Sequence, residues 1–228
     1  MKATLFALLA VLVAAPLSAQ QVGYPPAASP FTDLEYKQEI TPFGGWVTAR
    51  SDAANILPQS ASLVGLRYQV FIGGPVSFDA SFSRMASVRN VIDPTQIATK
   101  RLLGTADAAV YGVDVGIALG LTGRKSWHRL VPEIRAGGGI VSSEAKDDVS
   151  GYTFGTPFAL TFGGGLKFVS RGRLQIRADV GERLFKQKYP DSYYQPASDN
   201  TTVLTNESRS FWTNQTLLTV GVSVLFDR

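Results

Sequence analysis

Hydrophobic and polar residues alternate along most of this chain, which is the period-two pattern of β-strands. The clearest example is the final segment Leu218–Phe226, where every second residue is Leu, Val or Phe. Similar alternation predicts eight strands, at Thr41–Arg50, Val64–Ile72, Val76–Met85, Ala109–Leu121, Leu130–Val141, Phe158–Phe168, Arg173–Leu184 and Leu218–Phe226. After the N-terminal apolar run no stretch shows a competing helical period, so we predict an all-β fold.

Short and long connections alternate between the predicted strands. The short ones cover residues 73–75, about 122–129 and 170–172. The longer, polar ones cover about 51–60, 87–106, 142–155 and 186–210. An even number of strands, with short turns at one end and long loops at the other, is typical of transmembrane barrels. We therefore predict an eight-stranded antiparallel up-and-down transmembrane β-barrel over residues 38–228, with the long loops outside the cell.

The N-terminal residues are expected to lie outside the fold. Met1–Ala19 carries a basic residue, a 13-residue apolar run (Ala3–Ala15), a proline and then small residues, as a secretory signal peptide does. The apolar run is shorter than the ~20 residues that a membrane-spanning helix needs. We therefore expect cleavage after Ala19, a flexible periplasmic leader at residues 20–37, and export to the bacterial outer membrane.

Charged residues on the predicted strands fall on the phase opposite the large apolar residues. Four are positive and four negative: Arg67, Asp79, Asp114, Glu133, Arg135, Lys167, Arg177 and Asp179. The interior of an eight-stranded barrel is just wide enough to be filled by side chains, and charges buried there must be paired. We predict that these eight residues form an ionic network that closes the lumen, with Arg67 beside Asp79 and Asp114 facing Arg135.

The last predicted strand carries Thr219, Gly221, Val224 and Phe226 at the spacing polar, x, Gly, x, x, apolar, x, aromatic. This resembles the terminal-strand signal that the barrel assembly machinery reads, with the difference that residues 227–228 follow the aromatic. With its strand pattern, the chain is similar to the small eight-stranded OmpA-type and OmpX-type barrels of bacterial outer membranes. The resemblance implies the assembly machinery and periplasmic chaperones as partners, and a non-enzymatic role in envelope structure or surface interaction.

Basic residues in two of the long connections are expected to lie near the phosphorylated sugars of the outer leaflet: Arg89, Lys100, Arg101, Lys186, Lys188 and Arg209. Such charges attract anionic lipid headgroups, so outer-membrane lipid and lipopolysaccharide are predicted partners. Ordinary solvated loop charges are an equally good interpretation of the same residues. In the fourth loop, exposed Tyr193 and Tyr194 would suit contact with a partner.

The composition excludes several kinds of site. The chain has 22 basic and 18 acidic residues without a long single-sign run, which argues against a nucleic-acid partner. It has no cysteine and one histidine, so thiol chemistry and His-pair zinc sites are excluded. The acidic run Glu144–Asp148 lacks the alternating oxygen ligands of a calcium loop. We predict no cofactor, no metal and no catalytic residue.

Two other functions remain open from the sequence. One is a lipid A-modifying enzyme, which would need the single histidine, His128, as a general base at the outer rim beside a serine or an acid. The predicted topology instead places His128 near a short turn. The other is a soluble lipocalin-like ligand carrier, suggested by Gly44–Trp46 and distinguished by whether the apolar faces of the strands point inward.

Overall fold

The computed structural model describes residues 29–144, 148–170 and 172–226. The predicted signal peptide, the first part of the predicted leader, and Asp227 and Arg228 lie outside these ranges. Eight long strands are found there: β2 Gln38–Ala49, β3 Ala61–Gly73, β4 Val76–Met85, β7 Val110–Gly120, β9 Leu130–Ser143, β10 Phe158–Val169, β11 Leu174–Lys188 and β12 Ser210–Phe226. The same ranges contain short strands and 3-10 turns: β1 Phe31–Asp33, β5 Val88–Ile92, β6 Leu102–Asp107, β8 Lys125–Trp127, Ala98–Lys100 and Asp191–Tyr194. No helix within them is long and apolar enough to cross a membrane.

The eight long strands close into one antiparallel barrel. Each pairs with the next along the chain, in the order β2, β3, β4, β7, β9, β10, β11, β12. The ring closes between the last strand and the first, where Phe226 lies opposite Gln38 and Gln215 opposite Ala49. Closure leaves no unpaired strand edge in the ring. The predicted all-β, eight-stranded up-and-down barrel is confirmed.

The largest differences from the prediction lie in the second long connection and in the last strand. The connection predicted at residues 87–106 contains a hairpin formed by β5 and β6. β12 begins at Ser210 rather than at Leu218. The alternation misses the first half of this strand because Asn214 and Thr216 lie on the same outward face as Leu218, so that face is not uniformly apolar.

The barrel strands turn their apolar side chains outward and their polar side chains inward. On β12, Val220 is 58% exposed whereas its neighbour Thr219 is only 4% exposed. Large exposed apolar residues on the other strands include Val64, Leu66, Phe82, Val113, Ile117, Phe162 and Leu166. A soluble barrel has the opposite arrangement. The lipocalin-like alternative is therefore wrong, because its apolar faces would have to line the interior.

A small ribbon extends the sheet at the end of the barrel that carries the short turns. β1 pairs with β8, and the backbone N–H of Leu34 donates to the carbonyl oxygen of Arg124 (2.9 Å). β8 and β9 are joined by His128 and Arg129, whose φ angles of 46° and 67° are those of a two-residue hairpin turn. His128 therefore lies at the short-turn end, opposite the long loops.

Several barrel positions, Gly137 and Gly165 among them, require glycine because neighbouring groups come very close to their backbone. A Cβ atom at Gly137 would overlap the carbonyl oxygen of Val115 on the adjacent strand β7. A Cβ atom at Gly165 would overlap the carboxylate of Asp179. Gly137 thus allows the sheet to bend tightly around a narrow barrel, and Gly165 leaves room for a charged side chain in the lumen.

We expect Gly137→Ala to destabilise the barrel by about 1–3 kcal/mol, because the added methyl group overlaps backbone that is held by strand pairing. Gly73→Ala is the matched control, since no atom lies within 4 Å of the position of its Cβ. The free energy of unfolding in urea, followed by tryptophan fluorescence in detergent micelles, measures both effects. Equal stability of the two variants would contradict this account of the bend.

Candidate functional site

The lumen nearest the short turns is filled by two cations and two carboxylates. Lys167 Nζ lies 2.9 Å from Glu39 Oε1 and 2.7 Å from Glu133 Oε1. Arg177 reaches the same two carboxylates, at 3.0 Å and 3.1 Å. Gln69 completes the layer, because its carbonyl oxygen accepts from Arg177 (2.7 Å) and its amide nitrogen donates to Glu133 (3.2 Å). All five side chains are buried, so each charge depends on its neighbours for solvation.

Asp179 is the centre of the next layer toward the long loops. Its carboxylate lies 2.8 Å from Arg67 Nη1, 2.6 Å from Arg135 Nη2 and 2.9 Å from Arg177 Nε. Asp79 approaches Arg67 from the neighbouring strand, with 3.7 Å between the charged atoms. Since Arg177 contacts both this layer and the one below, the two form one continuous network.

A third group lies nearer the long loops. Arg183 Nη2 is 2.6 Å from Asp114 Oδ2 and donates to Ser83 Oγ (3.1 Å). Between this pair and the Asp179 layer is a cavity of about 70 Å³ whose walls include Arg67 and Arg135. A cavity of this size, with charged groups in its walls, has room for several water molecules. The lumen therefore has space for water between two groups of ion pairs.

The structure brings all eight predicted lumen residues into these three groups, with one pairing different from the prediction. The predicted Asp114–Arg135 pair is wrong, because the β7–β9 register sets Asp114 opposite Gly139 and Arg135 opposite Ala118. The predicted contact between Arg67 and Asp79 is present at 3.7 Å.

Sequence reasoning missed two charged members of the network. Glu39 precedes the predicted start of the first strand, so its phase was not assigned. Arg183 has the same phase on β11 as Arg177 and Asp179, and that signal was sufficient to find it. With both included, five cations face five carboxylates: Arg67, Arg135, Lys167, Arg177 and Arg183 against Glu39, Asp79, Asp114, Glu133 and Asp179.

No protein-family model and no curated protein sequence matches this chain. Among solved structures, Neisserial surface protein A superposes with a TM-score of 0.53 at 13% identity, covering 83% of this chain and 97% of the neisserial one. The outer membrane protein OprG from Pseudomonas aeruginosa gives a TM-score of 0.56 at 10% identity, covering 86% of this chain and 99% of its own. The chain shares the eight-stranded barrel fold of these outer-membrane proteins. Identities this low establish the shared fold alone.

The long loops of this barrel share an apolar core. We call the segments 50–60, 86–109, 148–157 and 189–209 the loop crown. Buried members of the core include Ile56, Tyr152, Phe154, Phe185, Tyr193 and Leu204. The rings of Tyr189 and Phe211 stack 4.5 Å apart at its edge. The predicted exposure of Tyr193 is wrong, because the crown buries it completely.

Asp52 organises the first loop of the crown and joins it to the fourth. Its carboxylate accepts from the backbone N–H groups of Ile56 (2.9 Å) and Leu57 (3.0 Å) and from the hydroxyl of Tyr189 (2.9 Å). Burial, together with the negative charge of Asp52, raises the pKa of Tyr189 above its usual range. Burial also raises the pKa of Tyr193 to about 12. Both phenols therefore stay neutral at physiological pH.

Arg89 is a buried charge within the crown. It forms an ion pair with Asp148 and lies over the ring of Tyr152, 5.4 Å from the ring centroid. The prediction that Arg89 contacts lipopolysaccharide is wrong, because a fully buried guanidinium cannot reach a lipid headgroup. Asp148 ends the acidic run whose residues 145–147 lie outside the described ranges. Among the described residues, no group of three or more His, Asp or Glu side chains could hold a metal ion.

The other five predicted lipopolysaccharide contacts lie in different settings. Arg101 ties the second loop to the fourth by donating to the carbonyl oxygen of Thr201 (3.0 Å). Arg209 pairs with Asp191 (2.8 Å) on the surface of the fourth loop. The remaining three are exposed: Lys100 in the second loop, and Lys186 and Lys188 on the outer face of β11.

The predicted assembly signal lies on β12, along the seam that closes the barrel against β2. Thr219 points into the lumen, Val224 is exposed on the outer face, and Gly221 pairs with β2. Phe226 stacks on Tyr68 at the short-turn end, with ring centroids 6.4 Å apart. Recognition of this strand by the assembly machinery stays a prediction.

His128 does not reach the outer rim. It occupies the turn before β9, and its ring centroid lies 4.9 Å from that of Trp127. The predicted short-turn position is confirmed. The lipid A-modifying alternative therefore loses the general base that it would need at the outer leaflet.

We expect Asp179→Asn to destabilise the barrel by about 3–5 kcal/mol, because three buried guanidinium groups lose their shared carboxylate. Asp33→Asn is the control: its ion pair with Lys125 (3.6 Å) is exposed, and such pairs contribute about 0–1 kcal/mol. Urea unfolding in detergent micelles measures both. A cost below about 1 kcal/mol for Asp179→Asn would show that water, rather than ion pairing, solvates these charges.

We expect Arg89→Gln to loosen the loop crown without opening the barrel, because Asp148 then lacks its buried cation while the strand pairing is unchanged. Limited proteolysis should cut the loop segment 148–157 faster than in the wild type. Lys100→Gln, which changes an exposed lysine in the same loop as Arg89, should leave the rate unchanged. Equal cutting rates for all three proteins would mean that the Arg89–Asp148 pair does not order the crown.

Proposed function

We propose that this chain spans the outer membrane of a bacterium as a non-enzymatic barrel with a closed lumen, and that it acts in envelope structure or surface interaction through its loop crown. The observation that supports this best is the inside-out distribution of side chains. Apolar residues such as Val220 and Phe162 are about half exposed on the outer face, whereas ten charged residues face inward. A Lys or Arg facing lipid at mid-bilayer costs about 2–4 kcal/mol, so only the inward position suits these charges in a membrane.

The continuity of the ion pairs supports the proposal of a closed lumen. The layer around Lys167 and Arg177 fills the short-turn half, and the apolar core of the crown covers the opposite mouth. An ion that crosses this path must displace several charge-assisted hydrogen bonds. A structural or surface role therefore suits the barrel better than bulk diffusion.

Surface interaction is assigned to the crown because its apolar core holds the loops in one arrangement. Ordered loops present a defined surface at a smaller entropic cost of binding than flexible ones. The exposed cations Lys100, Lys186 and Lys188 favour lipopolysaccharide as a partner at this end. We also propose that the signal peptide directs export, and that the assembly machinery and periplasmic chaperones insert the barrel by reading β12.

We expect the protein in the membrane fraction to migrate faster in SDS before boiling than after, because a closed barrel resists detergent and stays compact. Refolded into a planar bilayer, it should give no steady conductance, because the lumen is filled. Boiled protein serves as the unfolded control for the first measurement and empty bilayers for the second.

Two results would overturn parts of the proposal separately. Protein that stays soluble, with no difference between boiled and unboiled samples, would remove the membrane barrel. A normal mobility shift with stable, salt-dependent channel openings would keep the membrane barrel and remove the closed lumen.

A further inference from the structure

An outward-facing lysine lies between two aromatic side chains at the loop end of the barrel. In the β11–β12 register Lys186 lies directly opposite Trp212. On its other side Phe185 lies opposite Ala159, which sets Phe158 beside Lys186. Both aromatic side chains are highly exposed, Phe158 at 61% and Trp212 at 59%. Aromatic residues next to a cation are typical of the boundary between lipid tails and headgroups.

These three side chains, Phe158, Lys186 and Trp212, border a groove on the outer surface. One wall is the loop segment 151–158 and the other is the segment 186–190, and the space between them is about 570 Å³. Lys186 and Lys188 line this groove, and none of the residues lining it is acidic. Gln187, between the two lysines, points into the barrel, so both ammonium groups lie on the lipid side of the strand. We call this space the rim groove.

The lysines of the rim groove are not paired with a carboxylate among the described residues. In the part of the chain that the structure describes, neither Lys186 nor Lys188 forms an ion pair, whereas Arg209 in the fourth loop is paired with Asp191. Prolines and aromatic side chains, including Pro157, form much of the rest of the lining. The rim groove therefore combines a positive charge with an apolar surface, and the complementary ligand is an anionic amphiphile.

A carboxylate on the same face limits how deep the anionic group can lie. Glu182 faces outward on β11, four residues nearer the short turns than Lys186, and accepts from Asn214 (3.0 Å) and Thr216 (2.5 Å). Its negative charge repels a phosphate that moves toward the short turns. The phosphate is thereby kept at the level of the two lysines.

We propose that the rim groove binds the phosphorylated headgroup of one outer-leaflet glycolipid, with Lys186 and Lys188 on the phosphate and an acyl chain against Phe158 and Trp212. This inference rests on the proposed position of the barrel in an outer membrane. It differs from general attraction to the crown in that one lipid is held at one place, by cations that project from a strand.

The test is native mass spectrometry of the folded barrel in detergent with added lipid A. The wild type should retain one phosphorylated lipid A molecule and bind dephosphorylated lipid A at least tenfold more weakly. Lys186→Gln with Lys188→Gln should weaken binding on the order of tenfold, since each lysine near an anionic surface contributes several-fold. The matched control, Lys125→Gln, removes an exposed lysine at the short-turn end of the barrel and should bind as the wild type does.

A second double variant and a competition experiment distinguish the ways in which the inference can fail. Lys186→Arg with Lys188→Arg should restore binding, and millimolar inorganic phosphate should not displace the lipid, because it lacks the acyl contact. Lys100→Gln removes another exposed lysine at the loop end. A loss of binding equal to that of the double variant would mean diffuse attraction, which overturns the rim groove and leaves the proposed surface role. Equal binding of phosphorylated and dephosphorylated lipid A by the wild type would also overturn the rim groove. A failure of the proposed membrane barrel would be seen separately, as the absence of a mobility shift in SDS.

Discussion

The ion pairs of the lumen are the interactions on which the rest of this structure depends. An eight-stranded barrel is too narrow to solvate ten charged side chains with water alone, and the apolar outer face of this one offers them no partner. Each charge must therefore meet an opposite charge inside. Asp179 meets three guanidinium groups, and Lys167 and Arg177 share Glu39 and Glu133. In this arrangement, paired side chains from different strands must lie at the same level along the barrel axis. The register of the strands therefore determines which charges can pair.

The backbone is adapted to the same requirement. A narrow barrel bends its sheet sharply, and residues such as Gly137 allow neighbouring strands to approach where a side chain would collide with them. Gly165 has a second role, since its missing side chain leaves the space that the carboxylate of Asp179 occupies. Bend, register and charge pairing thus depend on one another, and a change in one is expected to disturb the others.

The two ends of the barrel are built in different ways. At the short-turn end, backbone pairing between β1 and β8 and a tight turn at His128 and Arg129 finish the sheet. At the other end the loops build an apolar core with Arg89 buried inside it. Such a core makes the loops part of the fold, whereas Lys186 and Lys188 project from β11 and are positioned by its pairing with β12.

The sequence by itself determined the strand count, the closed topology and which face of each strand is apolar, because alternation is a local property that adjacent residues reveal. It also identified most of the lumen charges, Arg183 and Glu39 being the exceptions. The sequence placed Arg67 beside Asp79, but only the tertiary structure decided the other pairs, since the β7–β9 register moves Arg135 away from Asp114 and onto Asp179. The burial of Arg89 and Tyr193 was likewise decided by packing between loops that are distant in the chain, which no local pattern encodes.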